Sequence, residues 1–337
     1  MNLTGVVAQQ LDFIQNINFN TTTYGPVEIF DTSIRHLGGL LSAYDMLKSR
    51  QSSNTYDPAQ VETLLDQSVS LADKIAFGFI TPTGLASTNV NCSSNEPVYG
   101  TYTIVATNQT FNSTNTASIG SFILEWFRLS DLTGNETYRQ LSARAEGYLV
   151  DPSPPPVYPR LVGTQFGVDT GAMLTFDGGW QAGVDSFLEY LIKTYQYQIT
   201  QTTMQYRDFW LQAAQSTSEH LAVHPYGFPD LTFLSKLDIN GSITYSRDDF
   251  TCFAGGSCTH IAQPFPWSQL WTELTCSPFS PQSFSVRSCL ICQSSYLLDS
   301  RSRTAVIRHT TLHLQASVRS PSHGERSKMQ SLLRVCH

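Results

Sequence analysis

The chain has 337 residues, of which 41% are hydrophobic and 14% are charged, a composition typical of globular rather than disordered proteins. Its formal net charge of −7 at pH 7 argues against a nucleic acid as a partner. The sequence has no apolar run of about 18 residues or more, so it contains no predicted membrane-spanning helix.

Residues 3–17 form the first predicted helix, and the polar residues 18–26 separate it from a second one that starts at Asp31 and ends near Lys48. Apolar residues three and four positions apart give the second helix a core-facing side. They are Ile34, Leu37, Leu41 and Tyr44.

Two features distinguish this second helix. Asp31 and Arg35 lie four residues apart and therefore share a face, while Asp31 or Thr32 can cap the helix start. Gly38 and Gly39 each cost about 1 kcal/mol in a helix interior relative to alanine, which predicts that another group approaches the backbone closely. Spacing alone favours a surface ion pair on a packed helix.

A third amphipathic helix is predicted over residues 60–77, and it forms a helical hairpin with the helix before it. Residues 78–116 follow as a long loop, with no helix through most of it. A loop of this length in a compact domain is usually functional or decorated.

The next helix is predicted over residues 117–133, with Gly134 as its C-terminal cap. Glu125 stands out because apolar and aromatic residues flank it. Its spacing allows two interpretations, an exposed or Arg128-paired glutamate and a partly buried carboxylate that faces a cavity.

A helix over residues 136–148 is ended by the proline-rich residues 151–156. Residues 158–176 then form a predicted hairpin that turns near 169–171.

The glycine-rich run that begins at Gly178 opens another helix, which extends to Lys193. Asp185 and Glu189 lie one turn apart in it. Asp185 can cap the helix or point towards a substrate, and the ordinary interpretation of Glu189 is an ion pair with Lys193.

A further helix is predicted over residues 203–224. Asn240 and Gly241 then separate two alternating apolar runs, a strong signal for a β-hairpin over residues 233–245.

The pattern changes after Gly256. Residues 1–256 contain 12 basic and 24 acidic residues, a net charge of −12, whereas residues 257–337 contain 8 and 3, a net charge of +5. Helical periodicity also fades, and the CxxC motif at residues 289–292 is weak support for zinc without partner cysteines. We therefore predict one domain over 1–256 and a non-homologous tail over 257–337 that is mistranslated or disordered.

Seven Asn-X-Ser/Thr sequons indicate the secretory pathway, either the lumen of the endoplasmic reticulum or Golgi, or secretion. The first residues lack the basic start and apolar block of a signal peptide. We expect that a signal or anchor segment is missing from the gene model. The sequons are at Asn2, Asn20, Asn91, Asn108, Asn112, Asn135 and Asn240.

Four segments resemble the family 47 glycoside hydrolases, the class I α-1,2-mannosidases, of fungal type. Residues 30–44 match the family's run of an aromatic, an acid, two small residues, Ile-Arg and Leu-Gly-Gly-Leu-Leu-Ser-Ala-Tyr. Residues 118–134, 178–193 and 248–256 resemble its further motifs. The departures are Asp31, where the family has glutamate, and Asp249, where it has histidine.

The resemblance implies an all-α fold, an (α/α)7 barrel of seven helical hairpins with short β-hairpins in the loops. We expect this barrel to be incomplete, because the chain resembles a family member truncated at both ends. Cys252 corresponds to a disulfide cysteine of the family whose partner is missing here. We expect a monomer.

The resemblance also implies an enzyme, a glycosidase that hydrolyses α-1,2-linked mannose on high-mannose N-glycans with inversion and with calcium as cofactor. Asp31 and Asp185 correspond to catalytic carboxylates, and Arg35, Glu125 and Glu189 to substrate-binding residues. The family's calcium-binding threonine and a further catalytic glutamate have no counterpart, so we expect no metal ligand in this chain.

Asp31 leaves the activity of this chain open. Aspartate is one methylene shorter than glutamate, which sets the proton donor back by about 1 Å and costs roughly 100-fold in rate. One alternative is a non-catalytic relative that binds mannose glycans in glycoprotein quality control. Another is an unrelated helical scaffold that binds protein partners.

Overall fold

The computed structural model describes residues 4–20, 22, 25–49, 56–224, 226–227, 232–246, 249–254 and 257. The chain divides into two compact units, the first made of Met1–Val223 with Phe233–Ser268 and the second of His224–Thr232 with Gln269–His337. Every helix and strand named below belongs to the first unit. The predicted tail over 257–337 lies outside the described residues except for Ser257.

Helices dominate the described residues, as predicted. They are α1 (Thr4–Ile14), α2 (Ile29–Asp31), α3 (Gly38–Lys48), α4 (Pro58–Ile75), α5 (Thr116–Gly120), α6 (Ile123–Thr133), α7 (Glu136–Val150), α8 (Asp185–Tyr197) and α9 (Gln201–His220). A π-helical segment, Thr32–Leu37, connects α2 to α3, and 3-10 turns cover Ala76–Phe79 and Asp249–Cys252. No helix in the described part of the chain is long and apolar enough to cross a membrane.

Short antiparallel sheets occupy the connections. Their strands are β1 (Val27–Glu28), β2 (Asn89–Asn91), β3 (Glu96–Val98), β4 (Gly100–Ile104), β5 (Gln109–Asn115), β6 (Gln165–Gly167), β7 (Ala222–Val223), β8 (Phe233–Leu234), β9 (Lys236–Leu237) and β10 (Ile243–Thr244). The strand orders are β1-β2-β3 and β4-β5-β6, with β7 paired to β8 and β9 to β10.

Residues 78–116, predicted as a long loop with no helix through most of it, contain the strands β2 to β5, whose positions were not predicted. Tyr102 is paired with Phe111, and the hydroxyls of Thr103 and Thr110 are 2.8 Å apart across the β4–β5 hairpin. Such aromatic and threonine pairs stabilise a two-stranded ribbon, and β6 extends this one to a three-stranded sheet.

The prediction of one helix over 117–133 is also wrong. α5 ends at Gly120 and α6 begins at Ile123. A Cβ atom on Gly120 would lie 2.6 Å from the Phe187 ring and 2.9 Å from the Leu149 side chain, so close packing against α7 and α8 fixes the chain at this break. Gly134 ends α6 in the left-handed conformation with φ of 71°, as its predicted capping role requires.

Neither Asp31 nor Thr32 caps the second predicted helix. The helix begins earlier, at Ile29, and Glu28 occupies the capping position in an extended conformation. Asp31 has helical dihedral angles, φ of −60° and ψ of −37°. Its side chain therefore projects from the helix and is available for an ion pair.

An aromatic cluster packs α6 against the N-terminal half of the first unit. The ring of Phe79 lies edge-on to Trp126 at 5.0 Å and to Phe122 at 5.5 Å. The indole Nε1 of Trp126 also donates a hydrogen bond to Ser33 Oγ over 3.4 Å. The π-helical segment and α6 are thereby held side by side.

The predicted turn at Asn240 and Gly241 is confirmed. It joins β9 to β10, and Gly241 has φ of +83°, which favours glycine. The predicted turn near 169–171 is confirmed by the hydrogen bond from the Gly171 amide to the Gly167 carbonyl at 2.8 Å.

Candidate active site

Asp31 and Arg35 form the ion pair that their spacing predicts. Arg35 Nε donates to Asp31 Oδ1 over 3.0 Å, and the side chains are 66% and 44% exposed for Arg35 and Asp31. A pair this exposed contributes little to stability. Both groups are therefore accessible to a polar ligand at the surface of this helix.

The close approach predicted for the two glycines occurs at Gly38. A Cβ atom there would lie 3.3 Å from Glu125 Cγ and 3.4 Å from its Oε1 atom. At Gly39 no such approach occurs among the described residues, where an added Cβ would meet nothing within 4 Å. The missing side chain of Gly38 thus makes room for the Glu125 carboxyl beside the helix that carries Asp31 and Arg35.

Glu125 is largely buried, as one of its two predicted interpretations requires. Tyr190 Oη donates a hydrogen bond to Oε1 over 3.1 Å, and Oε2 is buried with no hydrogen-bond partner among the described residues. Burial raises the pKa of Glu125 to about 7, against the opposing effects of the Tyr190 hydrogen bond and the Lys193 charge. This carboxyl can therefore exchange a proton near neutral pH.

The alternative interpretation, an exposed or Arg128-paired glutamate, is wrong. Arg128 binds Asp45 instead, through two hydrogen bonds of 2.9 and 2.6 Å. Asp45 lies on the neighbouring helix α3, and its bidentate contact satisfies the guanidinium of Arg128.

Asp185 is the first residue of α8 and is half-buried, and the capping position before it belongs to Val184. Its amide donates to the Gln181 carbonyl over 3.1 Å. A carboxylate in the first helical turn is favoured by the helix dipole. Gly183, with φ of +96°, allows the tight entry into this helix.

Glu189 and Lys193 form the ion pair that the ordinary interpretation predicts, and both side chains are partly exposed. Tyr190 contacts both groups, since its hydroxyl donates to Glu125 and its ring centroid lies 6.0 Å from Lys193 Nζ. Burial raises the pKa of Tyr190, and the charges of Glu125 and Glu189 raise it further, so its hydroxyl stays protonated and donates.

Helix α6 contacts the π-helical segment, α3 and α8. It therefore brings Glu125 together with Gly38 on one side and with Tyr190 on the other. The side chains of Asp249 and Cys252 lie outside the described residues, and the predicted disulfide of Cys252 stays a prediction.

Sequence reasoning missed two buried groups. Tyr190 directly follows Glu189 in the sequence. It could have been found by asking which donor hydrogen-bonds to Glu125, because a buried carboxyl needs one. Glu146 is fully buried on α7, with both oxygens unpartnered among the described residues, and burial raises its pKa well above the ordinary value. The burial of Glu146 could have been predicted from its position one turn from Ser142, on the apolar face of the predicted helix.

A model of glycosyl hydrolase family 47 matches residues 1–271. The chain belongs to glycosyl hydrolase family 47.

Relatives in family 47 agree with this assignment. An Aspergillus flavus protein named as a probable mannosyl-oligosaccharide alpha-1,2-mannosidase 1B is 43% identical over 254 residues, which are 75% of this chain and 47% of that protein. The Aspergillus niger protein of the same name is 41% identical over 254 residues, which are again 75% of this chain and 47% of that protein. The chain thus spans about half the length of the curated relatives it matches.

A solved structure supports the same family at the level of the fold. The alpha-1,2-mannosidase from Trichoderma reesei superposes with a TM-score of 0.68 at 38% sequence identity, covering 75% of this chain and 50% of that one. The helix-rich architecture described above therefore matches half of that mannosidase structure.

The family resemblance implies calcium, which takes six to eight oxygen ligands. Within the described part of this family 47 chain, no group of three or more His, Cys, Asp or Glu side chains could hold a metal ion. We therefore derive no step of the reaction through a metal.

Proposed function

We propose that this chain is the part of a mannosyl-oligosaccharide 1,2-α-mannosidase that carries the proton donor and the sugar-binding residues of the active site. The substrate is α-1,2-linked mannose on high-mannose N-glycans. The observation that carries the proposal is the buried Glu125 carboxyl, which packs on the backbone of the helix that presents Asp31 and Arg35. The names of the fungal relatives supply the reaction class.

Hydrolysis of a glycosidic bond with inversion requires two carboxyl groups about 6.5–9.5 Å apart, with room for a water between them. In our proposal Asp31 protonates the leaving oxygen, and Asp185 acts on the water at the opposite face of the sugar. Arg35 is exposed beside Asp31 and binds sugar hydroxyls. Glu125 and Glu189 bind the same mannose from α6 and α8.

The proposal extends to the setting of the enzyme. In this proposal the helical hairpins form part of an (α/α)7 barrel and the protein is a monomer. The sequons support passage through the secretory pathway. Calcium is the proposed cofactor, with ligands outside the described residues. Loss of mannose release on adding a chelator, restored by calcium but not by magnesium, tests this part.

Mannose release from a high-mannose N-glycan tests the function directly. We expect Asp31→Asn and Asp185→Asn to abolish it, because each removes a carboxyl that moves a proton. Asp31→Glu should instead increase it roughly 100-fold, since the added methylene advances the carboxyl by about 1 Å.

Asp66→Glu, an equal change on the exposed face of α4, is the matched control and should change nothing. Equal mannose release by the wild type, Asp31→Asn and Asp185→Asn would contradict the proposal.

The second candidate is a glycan-binding relative without hydrolytic activity, which the aspartate at position 31 favours. It predicts that the chain binds a high-mannose N-glycan, releases no mannose and stays inactive after Asp31→Glu. Release by either protein would exclude this candidate.

A further inference from the structure

The Glu125 carboxyl is fixed from two sides by atoms of different helices. On one side, the space left by the missing side chain of Gly38 is filled by Cγ and Oε1 of Glu125. On the other side, Tyr190 Oη approaches Oε1 to 3.1 Å. The same oxygen, Oε1, thus faces both neighbours, and Oε2 is left buried with no partner among the described residues.

The hydrogen bond to Oε1 acts on the charge of the carboxyl. A carboxylate that accepts a hydrogen bond from a hydroxyl is stabilised relative to the protonated carboxyl. The Tyr190 hydroxyl keeps its proton and can donate, since its pKa is raised by burial and by the adjacent carboxylates.

We propose that Tyr190 is a positioning residue, whose hydroxyl fixes Oε1 of Glu125 and favours the charged form of this carboxyl. The inference rests on the proposed function, in which Glu125 binds the mannose. It adds that Tyr190 holds the Glu125 carboxyl in place for its ligand. No role for Tyr190 follows from the sequence motifs.

The other groups around Glu125 support this arrangement. Lys193, from the same helix as Tyr190, attracts the carboxylate but is held by Glu189 in an ion pair. Gly38 contributes backbone only. The backbone hydrogen bond at Glu125 also lowers the pKa of this carboxyl, and among the side chains the Tyr190 hydroxyl lowers it more than the Lys193 charge does. Removal of the hydroxyl should therefore affect the carboxyl more than removal of the Lys193 charge.

The test is a titration of the full chain, labelled with 13C at glutamate carboxyl carbons and followed by NMR. One carboxyl should titrate near pH 7, and Glu125→Gln should remove its signal. Tyr190→Phe should lower the acid dissociation constant of this carboxyl about tenfold, because a hydrogen bond to its charged form is lost. Tyr195→Phe, which removes a hydroxyl from the same helix near Arg207, should leave it unchanged.

Gly38→Ala supplies an independent variant if Tyr190→Phe does not fold. Its Cβ atom would press on Cγ and Oε1 of Glu125 and should weaken the same hydrogen bond, with a shift in the same direction. An unchanged dissociation constant in the folded variant, or the absence of a carboxyl that titrates near neutral pH and depends on Glu125, would overturn the inference.

Mannose release, measured in parallel, keeps the two proposals apart. The expected titration without release contradicts the proposed function and leaves the role of Tyr190 standing. Release with an unchanged titration in Tyr190→Phe contradicts the role of Tyr190 and leaves the function standing.

Discussion

Gly38 and Gly39 are adjacent in α3 but have different surroundings. Glycine in a helix interior costs about 1 kcal/mol relative to alanine. Gly39 is exposed, and an added Cβ would meet nothing within 4 Å. Gly39→Ala should therefore raise the free energy of unfolding by about 1 kcal/mol, measured by urea denaturation.

Gly38→Ala is the paired experiment. Its Cβ atom would contact Glu125 at 3.3 and 3.4 Å, which should offset the gain in helix propensity and leave the free energy of unfolding unchanged or lower. If both alanine variants were stabilised equally, the close packing of Glu125 on Gly38 would be disproved.

Single residues differed in how far sequence could predict them. The ion pairs of Asp31 with Arg35 and of Glu189 with Lys193 were predictable, because both partners lie one turn apart in one helix. The partner of Glu125 was not, because Tyr190 is 65 residues away and meets it only through the packing of α6 on α8.

At the scale of elements, long amphipathic helices were the predictable part. The observed bounds of α4 and α7 lie within two residues of the predicted ones, since apolar periodicity over three or more turns is a strong signal. The strands β4 and β5 were missed because their residues are mostly polar, and β5 also pairs with β6, which lies far along the chain.

The β4–β5 hairpin carries two neighbouring sequons whose asparagine side chains have different surroundings. Asn108 lies exposed near its turn with φ of 53°, whereas Asn112 Nδ2 donates to Asp169 Oδ2 over 2.9 Å. If the protein passes through the secretory pathway, Asn108 should carry a glycan at higher occupancy than Asn112, because its amide nitrogen makes no hydrogen bond within the described part of the chain.

Glycopeptide mass spectrometry of the full chain, secreted behind an added signal peptide, measures this difference. Asn108→Gln should remove one glycan, and Asn112→Gln, the matched control in the same hairpin, should not change the mass of the glycoprotein. Higher occupancy at Asn112 than at Asn108 would contradict the prediction.

At the scale of the whole molecule, Glu146 couples folding to pH. Burial raises its pKa well above the ordinary value near 4.3, so the folded chain keeps a proton that the unfolded chain releases. Its contribution to stability is complete below about pH 4 and is lost as the pH rises towards the pKa of the folded state.

The free energy of unfolding of the wild type should fall by up to about 1.4 kcal/mol per pH unit because of Glu146. Glu146→Gln should remove this fall. Urea denaturation at pH 4.5, 5.5 and 6.5 should show that the wild type loses stability relative to Glu146→Gln as the pH rises. Glu136→Gln, a mostly exposed position on the same helix, should show no such trend. Parallel curves for the wild type and Glu146→Gln would contradict the prediction.

Across the molecule, the helix-rich class was predictable and the small sheets were not. Helices follow from local periodicity, whereas β6 joins β5 across about 50 intervening residues. The motif positions correctly indicated which helices carry carboxyl groups, but burial of Glu125 and Glu146 depends on neighbours that a single sequence does not reveal.

The π-helical segment Thr32–Leu37 limits which changes of chain length this region tolerates. The Gly38 amide bonds to the Ser33 carbonyl five residues back, where an α-helix would use four. Deleting one residue here would let the segment wind as an α-helix, and because the wider π turn holds one more residue than an α turn, Asp31 and Gly38 would keep nearly the same relative direction. The residues between them would not, so a deletion would change which side chains of this segment face α6.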